Sequence, residues 1–170
     1  AIYNPLGCRD MIVQEFDILA APNTVAIGDT ICTTSVASLS VLNPSATSQY
    51  NWQPANVLET TNGEAVETVE INQNTTIVLN ETTENGCTNS DSVTVLVVPA
   101  LIGETTELIA CKNEPVTLTV PENEFYTYSW TPVDVLSCTD CLSPEFDAAE
   151  NQTITATPMD IFGLGCTDST

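Results

Sequence analysis

Residues 50–54 read YNWQP and residues 128–132 read YSWTP, so one aromatic pattern ending in proline occurs twice, 78 residues apart. The pair Val-Leu follows each copy at the same offset, at 57–58 and 135–136. Because tyrosine and tryptophan are two positions apart, their side chains lie on one face of an extended strand. A strand carrying a buried tryptophan is typical of a β-sandwich. Two copies indicate that the fold repeats along the chain.

The cysteines extend this repeat. Further anchors recur at a spacing of 79 residues: Gly-Cys at 7–8, 86–87 and 165–166, a single cysteine at Cys32 and Cys111, and Asn-Gln at 72–73 and 151–152. The anchors keep one order, with a single one-residue slip around the tryptophans. Such regularity predicts a tandem array of structural modules.

The phase of the repeat predicts the domain boundaries. Residues 1–19 match the end of a repeat and are expected to form the last strand of a preceding module. Residues 20–99 are expected to be one complete module, and residues 100–170 a second module that lacks its last strand. The chain is therefore expected to be an internal piece of a longer repetitive protein.

Short alternating runs bounded by turn residues predict the strands, whereas a helical period is absent. We expect strands at 24–31, 36–42, 49–53, 57–59, 66–71, 75–80 and 91–98, and another at 116–120 in the second module. This number of short strands in one module is typical of an immunoglobulin-like sandwich. The predicted fold is all-β, with immunoglobulin-like modules arranged end to end.

The composition excludes several classes of function. Asp and Glu number 23 against 2 for Lys and Arg, so the formal charge is -21, and histidine is absent. Such a chain cannot neutralise nucleic-acid phosphates and is repelled by anionic membranes, so neither nucleic acid nor membrane insertion is expected. The lack of histidine removes the commonest general base and zinc ligand. We expect no enzyme activity, no catalytic residues and no resident metal or cofactor.

Trp52 and Trp130 are the predicted core residues of the two modules. An alternative function for them is a sugar-stacking platform, because an aromatic face suits a pyranose ring. The densest aromatic cluster lies in the loop that contains Phe125 and Tyr126. If an exposed ring binds a ligand, this loop is the first candidate.

The order of these motifs resembles PKD-like and immunoglobulin-like repeats of very large surface proteins of gliding bacteria. The resemblance rests on the tryptophan strands, on Gly-Cys, and on residues 137–141 (SCTDC) after the second tryptophan. It implies a β-sandwich, export by the type IX secretion pathway, and a role in cell-surface adhesins, including those of gliding motility. The first module departs from the pattern, because residues 59–62 (ETTN) stand where the second has Cys-x-x-Cys.

Disulfides are favoured over a metal site for the seven cysteines, because no second Cys pair or histidine completes a tetrahedral set. Cys138 and Cys141 are predicted to form a local disulfide. Two arrangements are open for the others. One pairs cysteines within a module, Cys32 with Cys87 and Cys111 with Cys166. The other joins adjacent modules.

In immunoglobulin topology, Cys32 would lie at the bottom of its module and Cys87 at the top. Strands of about eight residues separate these ends by roughly 26 Å, whereas disulfide Cα atoms lie within about 7 Å. The bottom of one module faces the top of the next, and we therefore predict a Cys32–Cys166 disulfide. Cys8, Cys87 and Cys111 would then pair with neighbouring modules.

Two weaker kinds of site remain. Asp134, Asp140 and Asp147, together with Glu145, are the best carboxylate cluster for Ca²⁺, although no EF-hand spacing is present. Short Asp-Ser/Thr motifs, similar to a bacterial O-glycosylation signal, end at residues 31, 93 and 170. The candidate acceptors in these motifs are Thr30, Ser92 and Ser169.

The leading functional hypothesis is a structural and adhesive repeat segment of a long extracellular cell-surface filament, stiffened by disulfides. Its partners would be neighbouring modules of the same chain, with identical filaments or surface polysaccharide as further candidates. The alternative hypothesis is a carbohydrate-binding or spacer module of a secreted polysaccharide-degrading enzyme. Glycan binding by the isolated chain would favour the alternative.

Overall fold

A computed structural model describes residues 2–3, 9–10, 13–101 and 103–166. These residues form strands and two short 3-10 helices, at Ala55–Val57 and Val133–Val135. The strands are β1 (Ile2–Tyr3), β2 (Arg9–Asp10), β3 (Ala26–Ile27), β4 (Thr30–Cys32), β5 (Ser38–Val41), β6 (Gln49–Gln53), β7 (Ala65–Glu67), β8 (Thr75–Thr82), β9 (Thr88–Val98), β10 (Pro115–Thr117), β11 (Tyr126–Thr131), β12 (Glu145–Asp147) and β13 (Thr155–Asp160).

Strands β3 to β9, called the first strand set, make two facing sheets. One sheet has the order β3-β5-β7 and the other has the order β4-β9-β8-β6. All pairs are antiparallel except β4 with β9, which run parallel. In the longer strands one face is buried because apolar residues alternate with polar ones, as in β8, where Ile77 and Leu79 are fully buried. The two inner faces share one hydrophobic core around Trp52.

The strand predicted at residues 24–31 is divided in the structure between the two sheets. β3 pairs with β5, whereas β4 crosses to the other sheet and pairs with β9. The break falls at Gly28 and Asp29. A Cβ at residue 28 would lie 2.3 Å from Val93 Cγ2, so the backbone can approach the neighbouring strand only with glycine there. The Asp29 carboxylate accepts N–H bonds from Thr30 (2.8 Å) and Ser38 (3.0 Å), which fixes the crossing.

Two other predicted strands are shorter or absent. Residues 57–59 do not form a strand, because the backbone after Pro54 turns into the 3-10 helix, with Val57 N–H donating to Pro54 O at 3.4 Å. The strand predicted at 66–71 is reduced to β7 and isolated bridges at Thr68 and Ile71. The two regions are joined to each other by single hydrogen bonds, from Glu59 N–H to Glu67 O at 2.9 Å and from Val69 N–H to Val57 O at 3.0 Å.

Strands β10 to β13, called the second strand set, form two antiparallel pairs, β10 with β12 and β11 with β13. β10 ends at Thr117 rather than at the predicted residue 120. Single hydrogen bonds continue beyond it, from Leu118 N–H to Pro144 O and from Val120 N–H to Leu142 O. The buried side chains centre on Tyr126, Tyr128 and Trp130, all on one face of β11.

Candidate functional site: the junction between the strand sets

The two tryptophans occupy the same environment in the two strand sets. Trp52 is fully buried and Trp130 is 4% exposed. The indole N–H of Trp52 donates to Gly63 O at 2.9 Å, and that of Trp130 donates to Cys141 O at 2.8 Å. Both rings therefore pack in a core and hold the loop that follows their strand. Neither ring presents a face on which a sugar could stack.

The loop that accepts the indole N–H bond is restrained in a different way in each strand set. Cys138 and Cys141 form a disulfide in the second strand set. In the first, Asn51 Nδ2 donates to Asn62 Oδ1 at 3.1 Å, and Gly63 takes a φ of +132°. The covalent bond and the amide hydrogen bond restrain equivalent loops, so the fold does not depend on the disulfide.

A second disulfide joins the two strand sets. Cys32 ends β4 in the first set and is bonded to Cys166, which lies six residues after β13, with a Cα–Cα distance of 5.3 Å. The within-module alternative is absent, because Cys87 and Cys111 are free thiols. The sequence separation between Cys32 and Cys166 is 134 residues. One covalent bond therefore spans most of the chain. Cys8 lies outside the described residues.

A small apolar cluster surrounds this disulfide. Val98 is fully buried, Tyr126 is 4% exposed, and Cys166 is 3% exposed, with Cys32, Leu101 and Phe125 packed against them. We call residues 32–33, 98–101, 125–126 and 160–166 the junction. The loop of Phe125 and Tyr126 is thus part of an internal contact, and Tyr126 is not the exposed ligand-binding ring considered from the sequence.

The Tyr126 hydroxyl makes the polar contact across the junction. It lies 2.8 Å from Pro99 O and 2.6 Å from Cys166 O. Because a phenol has a single proton, these two carbonyls share one donor. Burial raises the pKa of Tyr126, and the charges of Asp160 and Tyr128 raise it further. The hydroxyl therefore remains protonated at neutral pH and keeps donating.

Asp160 orders the turn that presents Cys166. Its carboxylate accepts N–H bonds from Phe162 (3.1 Å), Leu164 (2.8 Å) and Gly165 (2.7 Å). These bonds, led by the one from Leu164, hold the pKa of Asp160 below its usual value although partial desolvation opposes them. Gly165 has a φ of +72°, a conformation that favours glycine. The Gly-Cys dipeptide thus lies in a turn that places Cys166 next to Cys32.

The first strand set contributes the other half of the junction. Thr33 follows Cys32 and donates both its N–H (2.9 Å) and its hydroxyl (3.2 Å) to Val98 O. This pair of bonds ties the cysteine turn to the end of β9, where the chain leaves the first strand set. The disulfide and the chain connection therefore lie side by side.

The candidate calcium ligands are not brought together. Within residues 13–101 and 103–166, no group of three or more Asp, Glu, Cys or His side chains could hold a metal ion. Asp134 lies in the second 3-10 helix, Asp140 in the disulfide loop and Asp147 at the end of β12. Three separate backbone segments hold these carboxylates apart.

The aspartates of two candidate glycosylation motifs have structural contacts. Asp29 fixes the strand crossing, and Thr30 is half-buried in β4. Asp91 accepts the Ala26 N–H at 2.9 Å, and this bond holds the pKa of Asp91 below its usual value. Ser92 is exposed on β9. Ser169 lies outside the described residues.

From the sequence, Tyr126 was a candidate ligand-binding ring rather than a junction residue, and Asp160 was not a candidate at all. The repeat carried a signal for both, because Ser48 stands at the position of Tyr126 and Glu81 at that of Asp160. These differences in residue type accompany the contacts that Tyr126 and Asp160 make around Cys166 in the second strand set.

The fold and the junction define an all-β protein with immunoglobulin-like sheets and almost no helix. Residues 20–99 match the family described as "Ig-like domain CHU_C associated". No curated protein matches the sequence.

Among solved structures, the chain is similar to one described as the crystal structure of Dpr11 IG1 bound to DIP-gamma IG+IG2. Sequence identity is 11% and the TM-score is 0.40, over 82% of this chain and 98% of that chain. Two disulfides are typical of proteins that are secreted or face the outside of the cell. In the part of the chain that the structure describes, no helix has the length and apolar character needed to cross a bilayer.

Proposed function

We propose that this chain is a load-bearing segment of an extracellular surface protein, in which immunoglobulin-like modules follow one another end to end and are locked at each junction. The modules would be residues 20–99 and 100–170, with residues 1–19 closing a preceding one. The single observation that carries this proposal is the Cys32–Cys166 disulfide between the strand sets.

The position of that bond would make the junction stiff. The polypeptide connection leaves β9 at Val98, and the disulfide lies in the same apolar cluster. Two covalent connections at one junction restrict bending far more than one, since a single connection acts as a hinge. Tyr126 adds a polar contact between Pro99 and Cys166. The expected result is a stiff rod.

The surface chemistry supports an extracellular rod rather than an enzyme or nucleic-acid protein. A charge of -21 repels like chains and keeps neighbouring rods apart in solution. The match of residues 20–99 to one Ig-like family supports a module of that extent. Export by type IX secretion, and membership of a filament or gliding adhesin, belong to this proposal through the resemblance of the repeat. The burial of Trp52 and Trp130 weighs against the carbohydrate-binding alternative.

Small-angle X-ray scattering tests the stiffness. The scattering of the oxidised chain should give a narrow distance distribution with one maximum dimension. The Cys32→Ser/Cys166→Ser variant should give a broader distance distribution, and its Kratky plot should show the plateau that is typical of a flexible linker. The Cys138→Ser/Cys141→Ser variant is the matched control, because it removes a disulfide away from the junction. Identical profiles for the two variants would contradict the proposal.

A second test addresses location. Antibodies against the purified chain should label intact cells of the source organism or its culture medium without permeabilisation. Labelling that requires permeabilised cells would contradict an extracellular role.

A further inference from the structure

The Cys32–Cys166 disulfide closes a covalent ring. The two cysteines are 134 positions apart in sequence, whereas their Cα atoms are only 5.3 Å apart. Residues 33–165 lie between them in sequence and therefore form a closed loop, which contains β5 to β13. A force that enters the chain before Cys32 and leaves it after Cys166 can pass through the disulfide alone.

The segment of residues 22–32 runs along the whole length of β9 before it reaches this bond. Near the start of β9, Asn89 donates from Nδ2 to Pro22 O at 2.9 Å. At the other end, Cys32 is the register partner of Val98, the last residue of β9. Pro22 and Cys32 therefore lie at opposite ends of the first strand set.

Without the disulfide, a pulling force would reach the first strand set through β9. The chain leaves β9 at Val98, on its way to the second strand set. Because β4 and β9 run parallel, a force between Pro22 and Val98 would pull the two strands in opposite directions along their axes. Their contacts, which include the Leu96 N–H bond to Asp29 O at 3.2 Å, would be loaded in shear. Rupture of these contacts would release the strand set to unfold.

With the disulfide, the force reaches Cys32 directly from Cys166. It then follows the backbone of β4 and β3 to Pro22, so an unbroken covalent path joins the two ends of the first strand set. The Ala26 N–H bond to Asp91 Oδ2 at 2.9 Å holds this segment against β9 between those ends. The contacts between β4 and β9 no longer have to bear the load.

We infer that the Cys32–Cys166 disulfide is a covalent bypass, which carries tension past residues 33–165 and prevents tension from extending them. This inference rests on the proposed function, because a bypass acts only in a chain that bears load. It goes beyond the stiffness of the junction, since it fixes the greatest length that the chain reaches when it is pulled.

Single-molecule force spectroscopy measures this length. Handles are attached to the two ends of the full chain, in a Cys8→Ser/Cys87→Ser/Cys111→Ser background that keeps the cysteines of both disulfides. When this oxidised chain is pulled, only residues outside the closed loop should lengthen. Residues 33–165 should add no length.

The Cys32→Ser/Cys166→Ser change in the same background, called the junction variant, opens the loop. It should lengthen by roughly 440–480 Å more, because 134 positions then extend at about 3.3–3.6 Å each. The Cys138→Ser/Cys141→Ser change is the matched control, because that disulfide lies inside the closed loop and off the covalent path. The control should reach the same length as the chain with both disulfides.

A handle inside the loop shows that the strand sets can extend while the bond is intact. Ser92 is exposed on β9, and a Ser92→Cys handle used with the N-terminal handle loads residues 32–92 directly. This segment should add roughly 200 Å at about 3.3–3.6 Å per residue. Because the junction variant is not needed for this comparison, the test holds even if that variant is unfolded before it is pulled.

The inference is overturned if the chain with both disulfides, pulled from its ends, lengthens as far as the junction variant. It is also overturned if the handle at Ser92 adds no length beyond that of the end-to-end experiment. A non-reducing digest of the same sample is searched for the Cys32–Cys166 peptide. If the peptide is present and the chain still lengthens, the inference fails and the proposed function stands on its scattering result. If the peptide is absent, the proposed function fails as well.

Discussion

Removal of the Cys32–Cys166 disulfide tests how much the junction stabilises the protein. The bond closes a loop with a sequence separation of 134 residues. In the chain-entropy account, cross-linking a loop of that length lowers the entropy of the unfolded chain and stabilises the folded state by about 5 kcal/mol. The Cys32→Ser/Cys166→Ser variant should therefore lose most of this free energy of unfolding.

The second disulfide provides an internal comparison. Cys138 and Cys141 are separated by only three positions in sequence. The same account gives about 2 kcal/mol for so short a loop. Both double variants replace two sulfurs with two hydroxyls, so the difference of about 3 kcal/mol isolates the effect of loop length. The junction variant should be much the less stable of the two.

Urea unfolding, followed by the fluorescence of the buried tryptophans, measures both values. With a denaturant dependence of about 2 kcal/mol/M, the midpoint should fall by roughly 2.5 M for the junction variant and by roughly 1 M for the control. Unfolding of the reduced wild-type chain gives an independent check, because it removes both bonds. Equal midpoints for the two variants would refute the assignment of the long-range bond as the dominant constraint.

Two further predictions concern the junction. Tyr126→Phe should lower the free energy of unfolding by about 1–2 kcal/mol, because two carbonyls lose their shared donor; the control Tyr128→Phe, whose hydroxyl contacts only Pro121 O at 3.2 Å, should cost less in the same urea assay. For Asp160 the folded pKa is depressed, so its contribution is fully present above the unfolded pKa and is lost as pH falls below about 4. Wild type should therefore exceed Asp160→Asn in stability at pH 7 and approach it near pH 3, whereas a constant gap between those pH values would contradict the role.

The repeat made much of the fold predictable because its signals are local. Alternation in residues such as 75–80 requires one buried face, and the tryptophan strands require a core to receive them. The crossing of residues 24–31 between sheets was not predictable in the same way. It depends on the close approach of Gly28 to Val93, which is 65 residues away. The strand predicted at 57–59 is absent for a local reason, because the backbone after Pro54 forms a 3-10 helix.

The same distinction applies to the candidate site, since some of its features follow from the order of residues and others only from the folded structure. The 79-residue spacing and the Gly-Cys dipeptides could be read from the order of residues alone. The role of Tyr126 could not, because its hydroxyl meets Pro99 and Cys166 only after both strand sets are folded and adjacent. The carboxylates considered for calcium are near one another in sequence, but in the described residues the fold does not bring them together into a metal site.

What the sequence determined by itself is therefore periodic: the alternation of strand residues, the 79-residue spacing of the anchors, and a strongly negative composition. Tertiary structure decided which cysteine meets which, and it left Cys87 beside a cavity and Cys111 exposed. The physical reason is distance. Backbone preference and burial act between residues a few positions apart, whereas a disulfide or a shared hydrogen bond requires atoms from remote segments to converge within a few ångströms.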